Sequence, residues 1–116
     1  VQTCALPISE NAPAMIDLGN VCFKLFEYET ALKLFKKVFV LAPDNELVAV
    51  CIGNALTLMN DREQAYAYYE KALSMTDDKY RIYISYAISL SEFKEYDKAM
   101  FFWLIFIQVF QKIKTQ

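Results

Sequence analysis

The 116-residue sequence contains no histidine. The usual general base, the usual metal ligand and the usual near-neutral pH switch are therefore all missing. Glycine occurs twice and proline three times, too few for a loop-rich or disordered chain. Cysteine is also sparse. Cys4, Cys22 and Cys51 match no paired zinc spacing and are odd in number, so they read as small hydrophobes of a reducing compartment, with the cytoplasm as the expected location. Neither sign of charge dominates: 12 Lys and Arg face 14 Asp and Glu, which leaves no positive field for nucleic acid. A membrane span is missing too. The apolar stretch from Ala99 to Gln111 is bounded by Lys98 and Lys112 and makes about 20 Å of helix against a hydrocarbon core of about 30 Å. No nucleophile, base or metal cluster is assembled, and the adjacent carboxylates Asp77 and Asp78 are accounted for by helix capping. The expectations are no enzyme activity, no cofactor, no metal, no nucleic acid and no membrane span.

What is present is a high apolar fraction, 56%, with 16% aromatic residues; with so few glycines and prolines this fits helices joined by short turns. The first eight residues, Val1 to Ile8, look like the translation of a short-read sequencing adapter with no initiator methionine ahead. They are expected to be an artefact at the edge of a fragment, and are set aside from fold reasoning.

Comparing the chain with itself reveals a period of 34 residues. Gly19 recurs as Gly53 and is followed by Ala87; Ala31 recurs as Ala65 and Ala99; Phe35 becomes Tyr69 and then Trp103; Asp44 becomes Asp78. A period of this size marks a solenoid, in which each unit leaves an apolar face for its neighbour. Within the first unit, Met15, Ile16, Leu18, Val21, Cys22 and Leu25 keep helical spacing, and so do Ala31, Leu32, Leu34, Phe35, Val38 and Phe39 beyond the "FEY" segment. Gly19 and Ala31 would let two backbones approach, with the Phe35 ring beside them. Pro43 stops the second helix, Asp44 and Asp78 are expected to cap the helices that follow, and Asp61 with Gln64 reads as a capping box.

These residues resemble the tetratricopeptide repeat (TPR) family over about residues 12 to 113. The likeness rests on Leu18, Gly19, Tyr28, Ala31, Phe35 and Pro43, then Ile52, Gly53, Leu56, Ala65, Tyr69 and Ala72, then Tyr86, Ala87, Leu90, Tyr96, Ala99 and Trp103. Asp77 in place of a proline, Val38 in place of a small residue and Phe106 in the third unit depart from the pattern. The resemblance implies an all-α, right-handed superhelical solenoid of six helices in antiparallel pairs, with repeats at 12–45, 46–79 and 80–113.

It also implies a protein–protein interaction scaffold, whose partner is a protein or peptide held as an extended segment or helix in a concave, mostly apolar groove. That groove would be lined by Ile16, Asn20, Phe23 and Lys24, then Leu47, Val50, Asn54 and Thr57, then Arg81, Ile84, Ile88 and Ser91. Asn20 and Asn54, one repeat apart, offer donor and acceptor to a peptide backbone. A carboxylate clamp of the kind that binds chaperone tails is not expected, because Ile16, Cys51 and Ser85 stand where its other polar ligands belong. Alternatives are a secretion-type chaperone sequestering a hydrophobic client segment, and a homo-oligomerisation or regulatory segment of a larger protein.

The last helix raises a separate expectation. Lys33, Lys36 and Lys37 become Ala67, Glu70 and Lys71, and then Phe101, Leu104 and Ile105. Ala99, Trp103, Phe106 and Phe110 would face inward, leaving Phe101, Leu104 and Ile105 as an outward apolar interface. Their burial would stabilise a contact by roughly 5 to 9 kcal/mol at most. This face is expected to be covered by a second subunit, a partner or a chain segment outside this sequence; a homodimer through the last helix is one such arrangement.

Overall fold

The computed structural model describes residues 11–115; the Val1 to Ile8 stretch lies outside them. Six helices follow in order: α1 (Ala12–Lys24), α2 (Tyr28–Leu41), α3 (Glu46–Leu58), α4 (Arg62–Met75), α5 (Tyr80–Glu92) and α6 (Tyr96–Thr115). The described residues contain no strand. Helices α1 and α2, α3 and α4, and α5 and α6 pack as hairpins; α2 then packs on α3, α4 on α5, and α3 on α5. The hairpins stack in chain order into a body of 45 × 31 × 20 Å, the helical repeat solenoid the period demands.

The 34-residue register extends to the backbone. Phe26, Asn60 and Lys94 each have φ of 64°, the left-handed conformation that closes a helix C-terminus. The N–H of the next residue returns to a carbonyl five positions back: Glu27 to Cys22 at 2.9 Å, Asp61 to Leu56 at 2.9 Å and Glu95 to Leu90 at 2.8 Å. Three equivalent turns thus set three equivalent hairpins.

The helix starts are less uniform. The Asp61 carboxylate accepts from the Gln64 N–H at 3.3 Å, as the sequence predicts. The other two expected caps are displaced. The Asn45 N–H bonds back to the Ala42 carbonyl at 3.1 Å, closing a turn around Pro43 and Asp44. Asn45 is thereby delivered to the cap of α3, where its side-chain oxygen accepts from Leu47 and Val48 at 3.1 and 3.2 Å. At α5 the cap position is Lys79, with no side-chain cap bond; the Asp78 N–H is instead turned onto the Thr76 hydroxyl at 3.1 Å.

Inside each of the first two hairpins a glycine faces a ring. A Cβ built on Gly19 would lie 2.5 Å from Phe35, and one on Gly53 would lie 2.7 Å from Tyr69. Both rings are buried. The third hairpin has Ala87 at this place, and its ring, Trp103, is half-buried. Methyl and ring compete for one volume.

Aromatic rings tie the later hairpins together. Tyr86 stacks on Tyr69 at 5.2 Å and on Phe102 at 4.7 Å, so one pile runs from α4 through α5 to α6.

Helix α6 departs from expectation. Ala99 is buried, while Trp103 and Phe106 are half-buried, and Phe110, expected inward, is 53% exposed. The reason is reach. Helix α6 has 20 residues against 13 in α5, so its last turns run past the helix that supports it. Phe101 and Leu104 are exposed as expected, but Ile105 is half-buried; Met100 and Ile107 join the exposed set instead. None of the helices described is long and apolar enough to cross a membrane.

Candidate functional site

The first helices of the three hairpins, α1, α3 and α5, converge on a pocket of about 220 Å³. Phe23, Leu58 and Ile88 give it apolar walls; Asn54, Thr57, Tyr69 and Ser89 give it a polar floor; Ser85 and Glu92 complete the lining. Of the residues expected in a groove, Phe23, Asn54, Thr57 and Ile88 are brought together here.

The floor is a hydrogen-bond network. The Tyr69 hydroxyl donates to the Asn54 side-chain oxygen at 2.6 Å. Thr57 donates its single hydroxyl proton to the Gly53 carbonyl at 2.8 Å, so in its 2.7 Å contact with Ser89 it must accept. Ser89 is buried and 32 residues away, so this bond joins the second hairpin to the third. Burial pushes the Tyr69 phenol up to about 12, against the opposing effect of its Thr57 and Ser89 contacts. Thr57 therefore both lines the pocket and links α3 to α5.

The two asparagines are not equivalent. The Asn54 side-chain oxygen is taken by Tyr69, and its amide N–H group lies outside that bond, whereas Asn20 is exposed. Phe35, which faces α1 where Tyr69 faces α3, has no hydroxyl to engage Asn20. The sequence held the signal for this difference: a phenol at a buried ring position needs an acceptor, and Asn54 follows the glycine that the ring covers.

The remaining expected residues divide by burial. Ile16 and Val50 are half-buried against the core, and Ile84 is half-buried as well. Leu47, Lys24 and Arg81 are exposed. Arg81 turns back over its neighbour: its Nε donates to the Tyr80 hydroxyl at 3.2 Å, and its guanidinium lies 5.8 Å from that ring. Leu58, Tyr69, Ser89 and Glu92 were not anticipated as site residues. Leu58 and Glu92 sit one position outside the expected columns, Thr57 and Ser91, in the last turns of α3 and α5.

Beside the pocket, Tyr66 on α4 reaches forward to the third hairpin. Its hydroxyl donates to Glu95 and its ring meets Phe93 edge-on at 5.8 Å. That hydroxyl, with Lys98, holds the Glu95 carboxyl below its ordinary range. Burial pushes the Tyr66 phenol up, and the bond to Glu95 adds to the shift. Among the described residues no cluster of His, Cys, Asp or Glu could hold a metal ion.

Comparison with known proteins agrees with this architecture. The Cell division cycle protein 16 homolog of Homo sapiens is 36% identical over 66 residues, which are 57% of this chain and 11% of that protein. The Mus musculus protein of the same name matches to the same extent. The chain thus spans about a tenth of the length of these curated relatives. Among solved structures, the crystal structure of MamA superposes with a TM-score of 0.78 at 20% identity, covering 90% of this chain and 61% of that one. A second MamA structure gives 0.76 at 19% identity, covering 89% and 61%; at these identities the likeness is one of fold. The sequence profile described as "Tetratricopeptide repeat" matches residues 12–45 and 52–79, more than half of the sequence. This chain therefore belongs to the tetratricopeptide repeat family of protein–protein interaction scaffolds.

Proposed function

We propose that the chain binds an extended peptide or a helix of a partner protein along the surface formed by α1, α3 and α5, anchoring one large apolar side chain between Phe23, Leu58 and Ile88. The observation that carries this reading is the pocket itself: apolar walls from three helices over a floor whose hydroxyls are already paired. Such a floor takes an apolar group without stranding a hydroxyl. Asn20 and the amide N–H group of Asn54 supply the polar contacts that fix a backbone alongside, and Leu47 and Arg81 extend the surface at its exposed edge.

Peptide display on the immobilised chain tests this, with Ile88→Glu as the comparison. Ile88 is half exposed, so its replacement leaves the fold intact while charging the pocket wall. The expected result is enrichment of sequences around a single Leu, Phe or Met, at least tenfold weaker on Ile88→Glu, about 1.4 kcal/mol or more. Asn20→Ala should weaken the same peptides about threefold or more, a hydrogen bond being worth about 1 kcal/mol. Equal binding to all three proteins refutes the groove assignment. A chaperone-like variant of this reading draws support from the exposure of Leu47 and Ile88 along the same surface; selection of long, wholly apolar segments in place of a single anchor would favour it.

A further inference from the structure

Helix α6 presents an apolar surface that the hairpin stack leaves unused. Tyr96, Met100, Phe101, Leu104, Ile107 and Phe110 are each 46–61% exposed and lie along one side of the helix, with Met100, Leu104 and Ile107 at the i, i+4, i+7 spacing of a helix–helix seam.

The two earlier hairpins show how much of this side another repeat would cover. Leu32 and Tyr66, which correspond to Met100, are half-buried, as are Phe39 and Leu73, which correspond to Ile107. These columns face the next hairpin: Phe39 meets Tyr68 edge-on at 6.0 Å, and Tyr66 meets Phe93 and Tyr86. Lys33 and Ala67, which correspond to Phe101, are exposed in both earlier hairpins. A continuing repeat would therefore cover Met100 and Ile107 but leave Phe101 wet. An occupant that covers the whole surface must lie along α6 for most of its length.

The ends of α6 indicate its identity. The first turn carries Asp97, with its neighbour Lys98 paired to Glu95 at 3.4 Å, and the last turn carries Lys112 and Lys114. A second α6 laid antiparallel sets each acidic end against a basic one and opposes the two helix dipoles favourably; a parallel arrangement brings like charges together. The area suffices. Six side chains, each about half exposed, offer about 600 Å² per subunit, and about 1,200 Å² in total is the lower bound of stable interfaces. We propose that α6 is a homodimer interface, two copies pairing antiparallel about Leu104 and leaving both peptide grooves free.

Sedimentation equilibrium of the purified chain over a concentration series tests the proposal. The wild type is expected to dimerise, and Leu104→Glu and Phe101→Lys are each expected to be monomeric with unchanged helical circular dichroism, since both side chains are exposed. Asp97→Lys should weaken the dimer about three- to fivefold, and adding Lys112→Glu and Lys114→Glu to it should restore the affinity. A wild type that is monomeric at every concentration overturns the interface, as does a dimer that survives both apolar replacements. A dimer that the second charge reversal fails to restore overturns the antiparallel pairing.

Discussion

Gly53 shows how one residue can govern a hairpin. Glycine costs about 1 kcal/mol in a helix relative to alanine, yet Gly53→Ala is expected to destabilise the protein by about 1–3 kcal/mol, because the new methyl would stand 2.7 Å from the Tyr69 ring. The ring has nowhere to go, held by Asn54 at its hydroxyl and by Tyr86 at its face. Urea denaturation of the variant checks this; equal or higher stability would show that the ring yields. Tyr69 also sets a pH dependence. Its phenol is raised from 10 to about 12 by burial, so the folded state holds a proton that the unfolded chain releases. The stabilisation is full below about pH 10 and is lost as pH rises toward 12. Tyr66 and Tyr86 shift in the same direction, chiefly through burial. Urea midpoints measured across this range should fall with pH, and Tyr69→Phe should make the fall shallower. A slope unchanged in Tyr69→Phe would mean that this phenol titrates alike in both states.

At the scale of the helix, the turns and the polar floor make separate predictions. The left-handed residue after each first helix carries a Cβ, a conformation costing about 1–2 kcal/mol for most side chains. Lys94 is exposed, so Lys94→Gly should stabilise by about 0.5–1 kcal/mol after the greater freedom glycine gives the unfolded chain. A thermal melt shifted downward would contradict this. Between α3 and α5, Thr57→Val leaves the buried Ser89 hydroxyl without its acceptor, at a cost of about 1–3 kcal/mol. The double variant with Ser89→Ala should recover part of that loss, and strict additivity of the two single changes would show that the bond contributes nothing. How legible these features were follows from what each depends on. The hairpin register could be read because close backbone approach demands small residues, and Gly19, Gly53, Ala31 and Ala65 recur accordingly. The caps were harder: Asp44 and Asn45 are adjacent and equally able to cap, and a backbone bond to Ala42 decides between them. The engagement of Asn54 by Tyr69 depended on two helices facing each other, and the overhang of α6 on the length of its neighbour. Neither is a property of a local stretch.

The whole molecule is a linear stack, so its stability is graded along the chain rather than shared equally. Helix α3 buries Val48, Ala49, Ile52, Gly53, Ala55 and Leu56 and packs against α2, α4 and α5. Among the described side chains of α6, Ala99 alone is buried. Under dilute conditions, amide hydrogen exchange should be slowest in α3 and α4 and fastest in the C-terminal turns of α6. Uniform protection along all six helices would instead indicate a single cooperative unit. Placing the apolar surface on the least supported helix also gives it the most to gain from a partner.

The chain has a single tryptophan, Trp103, and it sits half-buried on α6 with its ring edge-on to Phe106 at 5.8 Å. Its fluorescence is thus a reporter of the end of the stack, while the ultraviolet absorbance of the eight tyrosines, six of which lie on α4 and α5, reports chiefly on those two helices. An emission change that precedes the tyrosine signal on heating then marks fraying of the terminal helix, and the wavelength of that emission reads directly how much water reaches the α6 surface.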